Sequence, residues 1–269
     1  KKRTNPAEAI YAIPELASFG RVLRSSKSAP LTEAETEYVV RCTKHILQDY
    51  IVLQFSIENT VEDQRLESVS VVIDLLDDTC DVEVVGEMDA QSIHYGETKD
   101  CFVVLKRMDL SNLPIVFSCD MNFACILLDL ESDGDDIESI DEEYQLENLE
   151  IAFSDFVSKT TPPDFRNVWN NLSEDGAHEC HGSYELQCES ISEALPAVIG
   201  AFGMQPCDGT ERISSPDVQG HMLHMSATFD GVSHILARAK LVQRSKIVIM
   251  KLMVRSKNED AAKLVVESL

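Results

Sequence analysis

The stretch IVFSCDMNFACIL, residues 115–127, alternates apolar and polar side chains along its length. Ile115, Phe117, Cys119, Met121, Phe123, Cys125 and Leu127 fall on one side, opposite Ser118, Asp120 and Asn122. A helix would scatter those apolar side chains around its axis, whereas a strand sends successive side chains to opposite faces. The stretch therefore reads as a long strand with one face in a core. DYIVLQFSI (49–57) repeats the pattern, with Ile51, Leu53, Phe55 and Ile57 opposed to Tyr50, Val52, Gln54 and Ser56. SVSVVIDL (68–75) repeats it again with Val69, Val71, Ile73 and Leu75. Several such strands with no helical stretch between them predict an antiparallel β-sandwich.

The period changes near residue 150. Residues 129–150 carry eleven carboxylates and read as a loop or tether. IAFSDFVSKT and DFRNVWNNL then read as helices separated by Pro162 and Pro163, which end one and start the next. HECHGSYELQC (178–188) reads as a strand. SISEALPAVIGAFG (190–203) reads as a helix with a capping box at Ser190 and Glu193 and with Gly203 at its C-terminal end. HMLHMSATF, SHILARAKLV and KIVIMKLMVR read as three strands, followed by a helix at about 258–268. Helices bracketing an antiparallel sheet make this a separate α+β subdomain. At the other end, residues 1–31 lack sustained periodicity and close on SSKSAP, a linker-like stretch. The expected divisions are 1–31 (linker or extended segment), 32–150 (sandwich) and 151–269 (α+β subdomain).

Charge limits the partners. The chain carries a net −24, unevenly spread. Residues 1–31 hold six Lys/Arg against two Asp/Glu, 32–150 six against thirty, and 151–269 eleven against fifteen. Such a field repels nucleic acid and anionic lipid and steers basic partners toward the middle segment. No apolar run approaches the roughly 20 residues that span a bilayer. The opening KKRTNPAEAI has neither a Met start nor a signal-peptide core, which predicts a fragment of a longer intracellular chain. The eight cysteines form no CxxC pair, and several sit in strand-like apolar runs, so they are expected as reduced thiols.

Candidate chemistry is sparse. Asp129, Glu131, Asp133 and Gly134 approach a calcium-binding loop, but Ile140 stands where the bidentate Glu belongs and the flanks read as strand. His178, Cys180, His181 and Cys188 suggest zinc, yet on a strand His178 and Cys180 face one side and His181 the other. A polar strand face is the reading taken. Phosphate-cradling glycine loops, GxSxG and HExxH are missing, so no enzyme, cofactor or metal is expected.

Two features remain. Phe165, Val168, Trp169 and Leu172 share one helix face, and Trp169 is the only tryptophan. On spacing alone it is either core or an apolar surface offered to a partner, with core favoured. In SHILARAKLV the face opposite Ile235, Ala237, Ala239 and Leu241 carries His234, Leu236, Arg238 and Lys240, and in KIVIMKLMVR Lys251 and Arg255 share a face. Such a stripe can hold an acidic peptide, though the wet side of a sheet also needs charge for solubility.

Beyond these patterns, IPELASFGRV, LTEAETEYVVRCTKHI, LQFSIENTVEDQRLESVSV, EEYQLENLEI and GMQPCDGTE resemble the carboxy-terminal appendage, or ear, of the gamma subunit of coatomer, the COPI vesicle coat. The resemblance runs from about residue 12 to the end. It implies an immunoglobulin-like sandwich followed by a platform subdomain, as in clathrin-adaptor ears, and a role in recruitment without catalysis. It implies as partners the Arf GTPase-activating proteins and other COPI accessory proteins, with other coatomer subunits reached through the parent chain. It places the work in the cytoplasm, on Golgi membranes and COPI vesicles, in Golgi–ER retrograde and intra-Golgi transport. A DFxxxW motif, here Asp164, Phe165 and Trp169, would put a partly exposed indole in a shallow platform pocket. Phe165 and Val168 would hold it from inside, and Arg238 and Lys251 would flank it. The loop between the last two strands differs in length from that of the clathrin-adaptor ears. The runner-up places the contact on the acidic sandwich and the tether 129–150, with a basic partner.

Overall fold

A computed structural model describes residues 6–77, 81–128, 136–174, 176–215 and 218–268. The chain divides into two compact units between Ile151 and Ala152.

The first unit begins with two short helices, α1 (Glu8–Tyr11) and α2 (Pro14–Ala17), followed by β1 (Val22–Ser25) and β2 (Ala29–Pro30). Then come β3 (Tyr38–Leu47), β4 (Tyr50–Asn59), β5 (Gln64–Leu75), β6 (Val84–Met88), β7 (Ala90–Ile93), β8 (Thr98–Lys106), β9 (Ile115–Leu128) and β10 (Asp136–Ile151). All pair antiparallel, in two sheets ordered β1-β3-β4-β8-β6, with β2 beside β3, and β10-β9-β5-β7. This is the β-sandwich that the period-two runs predict. Along β9 the alternation holds through Cys125; at the strand end Ile126 is buried and Leu127 only half-buried. Tyr38 on β3 bridges the sheets, with its ring centroid 5.0 Å from Phe123 and 5.3 Å from Tyr144 in edge-on contacts.

Two expectations fail here. The segment expected as a linker is folded: Ile10 and Leu16 are buried against Leu47, Val52, Phe102 and Val104. The α1–α2 pair therefore covers the outer face of the first sheet, which is why β8 is buried on both sides from Cys101 to Leu105. Burying such an aliphatic side chain contributes about 1.5–3 kcal/mol. From Asp136 on, the expected tether is strand β10, paired with β9. Its buried Leu146, Leu149 and Ile151 supply the inward face, while its carboxylates line the outer edge of that sheet. Asp129, Glu131, Asp133 and Gly134 lie outside the described residues.

The second unit runs α3 (Phe153–Phe156), β11 (Val157–Lys159), α4 (Phe165–Glu174), β12 (His178–Leu186), α5 (Ile191–Phe202), β13 (Gln205–Cys207), β14 (Gly220–Phe229), β15 (Ser233–Arg244), β16 (Ile247–Ser256) and α6 (Glu259–Glu267). One antiparallel sheet, β11-β14-β15-β16-β12 with β13 beside β14, makes the unit α+β. The stretch 151–160, expected as a helix, is helical only at Phe153–Phe156; Val157–Lys159 instead pairs with Ala227–Phe229 at the sheet edge, where β-branched Val157 fits. Ser190 Oγ accepts from Glu193 N at 3.2 Å and Gly203 ends α5 at φ 62°, as the capping signals require. Ile235, Ala237, Ala239 and Leu241 on β15, with Val248, Met250, Leu252 and Val254 on β16, form a buried sheet face, and α5 and α6 pack against these strands.

A candidate partner-binding face on the second sheet

The opposite face of this sheet is only partly covered. Asp164 precedes α4 and its Oδ1 accepts from Asn167 N at 3.0 Å, capping the helix; the first residue of the DFxxxW motif is thereby explained locally. Phe165, Trp169 and Leu172 then point into the sheet and bury against Cys207, Leu236 and Met253. Trp169 is 2% exposed. The partly exposed indole implied by the resemblance is not what the structure shows.

Two arginines explain the difference. The Arg238 guanidinium lies over the Trp169 ring, 4.2 Å from its centroid, and over Phe165 at 5.6 Å. Arg255 lies over the same indole at 4.4 Å, and its Nη1 donates to the Trp169 carbonyl at 2.8 Å. Its Nε donates to Glu179 Oε2 at 2.5 Å. His224 stacks on Phe165 with 4.4 Å between centroids and 6° between planes. The cations thus take aromatic surface that would otherwise face solvent, each contact worth about 0.5–2 kcal/mol.

Strand register sets the rest of the face. β15 and β16 meet in a two-residue turn at Ser245 and Lys246, so Arg238 stands opposite Met253 and Lys240 opposite Lys251. β14 adds His224 beside Arg238 and Met222 beside Lys240. α4 ends its cover near Met253. Beyond it lies an open cavity of about 650 Å³ lined by Met222, Arg238, Lys240, Lys251, Met253 and His181. Of the four residues expected at a partner site, Arg238 and Lys251 line this cavity; Phe165 and Trp169 lie beneath Arg238 and do not.

The electrostatics are one-sided. Burial pushes the Arg238 guanidinium below its ordinary range, with the charges of Arg255 and Arg166 adding to the effect and Asp208 opposing it. Burial likewise pushes His224 down, although its 3.2 Å contact with Asp208 works the other way. Burial alone would raise Glu179, but the bond and charge of Arg255 outweigh it and hold that carboxyl low. Arg238 Nε is buried with no hydrogen-bond acceptor among the described residues. None of Arg238, Lys240 and Lys251 makes an ion pair with a described carboxylate.

His178 and Cys180 lie on β12 beside His181, whose Nε2 is 3.0 Å from Glu179 Oε1. Among the described residues no group of His, Cys, Asp or Glu is arranged to hold a metal ion. No helix of the described residues is long and apolar enough to cross a membrane. The sequence pattern leaves out Met222 and Met253, which only strand pairing brings to the cavity, and His224, which it sets beside Arg238. The short turn between β15 and β16 is the signal that could have placed Lys240 against Lys251.

A family model described as the coatomer gamma subunit appendage platform subdomain matches residues 4–152, the half that is a sandwich here. A second, described as the coatomer subunit gamma-1 C-terminal appendage platform, matches residues 154–269. The coatomer subunit gamma of Arabidopsis thaliana is 35% identical over 262 residues, covering 96% of this chain and 29% of its own length. Human coatomer subunit gamma-2 is 32% identical over 265 residues, covering 97% of this chain and 30% of its own. The chain thus spans under a third of these relatives. The solved GAE domain of yeast GGA1 aligns with 44% of this chain and 98% of its own at 8% identity, with a TM-score of 0.28.

Proposed function

We propose that this chain, which belongs to the coatomer gamma-subunit appendage family, is a non-enzymatic recruitment module of the COPI coat. Its parent chain assembles with other coatomer subunits on Golgi membranes and vesicles, serving Golgi–ER retrograde and intra-Golgi transport. Accessory proteins such as Arf GTPase-activating proteins dock on the open sheet face of the second unit. The observation that carries this reading is the convergence of Arg238 and Lys251 on one open cavity with Met222 and Met253. Trp169 and Phe165 act from below, as the rigid bed that fixes Arg238.

The test is titration of a purified Arf GTPase-activating protein against wild type and Lys251→Glu. Lys251 is exposed, so the variant folds normally. A tenfold or greater loss of affinity with a melt no lower than wild type is expected, since a rim charge of the wrong sign repels an acidic partner. Unchanged binding would move the contact to the sandwich, where Asp120, Asp141 and Glu143 lie on β9 and β10.

A further inference from the structure

We propose that the segment docking in this cavity carries a phosphoserine or phosphothreonine, whose phosphoryl group is held by Arg238, Lys240 and Lys251. This rests on the docking reading above and adds the chemistry of the partner.

Lys240 and Lys251 stand directly across from one another on neighbouring antiparallel strands, and like charges in that position destabilise the pair. Arg238 follows on the same face two residues from Lys240, and none of the three has a carboxylate partner among the described residues. The chain carries 47 acidic side chains against 23 basic ones, so counter-charge is abundant in composition yet withheld from this spot. Of the nearby carboxylates, Glu179 is bonded by Arg255 and His181, while Asp208 contacts His224 at 3.2 Å and reaches Arg238 through its charge without forming an ion pair.

The second observation is independent of charge counting. Arg238 Nε is buried without an acceptor, while its guanidinium is held against Trp169 and Phe165. A guanidinium fixed in this way is a preorganised planar fork. Forks of this kind match an oxyanion bidentately, and the match is strongest when the acceptor is charged.

Valence then selects the ligand. Three unpaired cations exceed what one carboxylate neutralises. A phosphomonoester carries about −1.5 to −2 charges at pH 7 and three acceptor oxygens, enough for a fork and two ammonium groups together. Met222, 41% exposed, and Met253 add an adaptable apolar floor for a neighbouring side chain of the same segment. The net −24 of the chain opposes long polyanions and anionic membranes, whereas a short segment meets mainly the local field.

The probes are degenerate nonapeptide pools centred on phosphoserine, serine or aspartate, titrated by fluorescence anisotropy. The protein is the wild type, the double variant Lys240→Gln/Lys251→Gln, and Arg238→Lys, with melts run alongside. The phosphoserine pool should bind wild type at least tenfold tighter than either other pool. The double variant should lose that preference while melting no lower than wild type, and Arg238→Lys, which keeps the charge but not the fork, should lose much of it. Aspartate equal to phosphoserine would overturn the phosphate while leaving the docking face intact. A preference undiminished in the double variant would place the site elsewhere and overturn both readings. Silence from every pool, with the purified Arf GTPase-activating protein still bound through Lys251, would overturn only the phosphate. Retention on phosphoinositide vesicles in place of the peptide would overturn it in favour of a lipid headgroup.

Discussion

Arg238 lies 4.2 Å above the indole of Trp169, with its Nε buried and without an acceptor. The tryptophan is therefore a structural member of the second unit and a support for a cation. Trp169→Ala should cost about 3–5 kcal/mol, the range for deleting a large buried aromatic. Chemical denaturation measures it, and a loss under about 1 kcal/mol would mean that the indole is not core.

Stability and recruitment should separate at Lys240. Lys240→Glu turns a like-charge pair with Lys251 into an opposite-charge pair, which should stabilise the second unit by about 0.2–1 kcal/mol at low salt and less at high salt. The same change should weaken partner binding. A variant that melts higher and binds worse is the expected pair of results; a lower melt at low salt would contradict the cross-strand geometry.

Gly182 on β12 has a local reason. A Cβ there would fall 2.6 Å from Tyr184 Cε2, because the Tyr184 side chain folds back over the glycine and its hydroxyl donates to the Val266 carbonyl at the end of α6. Gly182→Ala should displace that ring and destabilise by about 1–3 kcal/mol. Tyr184→Phe should cost only about 1 kcal/mol, the worth of one hydrogen bond. Hydrogen exchange of the α6 amides should quicken in the first variant more than in the second.

A buried histidine makes the first unit sensitive to acid. Gln54 Nε2 donates to Asp100 Oδ2 at 2.8 Å, which leaves Gln54 Oε1 to accept from His45 Nε2 at 3.0 Å. His45 Nδ1 must then accept from the Ser25 hydroxyl at 2.8 Å. Burial lowers the pKa of His45 from 6.5, although the Gln54 bond and the Asp100 charge oppose it. Because the unfolded chain binds the proton more readily, stability is full above about pH 6.5 and falls as the pH drops through the folded value. Denaturation of wild type and His45→Gln at pH 7.5 and 5.5 checks this: the wild type should lose stability on acidification, and the variant should lose less.

What could be read locally came out well. The inward face of β9, the caps of α5, and the stripe of Phe165, Trp169 and Leu172 all follow from the two elementary periods. The first thirty residues did not yield to this reading. Their helices are four residues each, too short to show a period, and Ile10 and Leu16 acquire meaning only from the strands beneath them. In β10 the carboxylates dominate the composition and mask three inward apolar side chains, Leu146, Leu149 and Ile151.

The same division holds at the candidate site. Periodicity alone places Arg238 and Lys240 on one strand face, Lys251 and Arg255 on another, and Trp169 on the apolar side of a helix, because each assignment depends only on neighbours within a few residues. The pairing of Lys240 with Lys251, the Met222–Met253 floor and the burial of the indole under two guanidiniums were decided by tertiary structure. These relationships join α4, β14, β15 and β16, and whether an aromatic side chain meets solvent or a cation depends on what distant segments bring to its face.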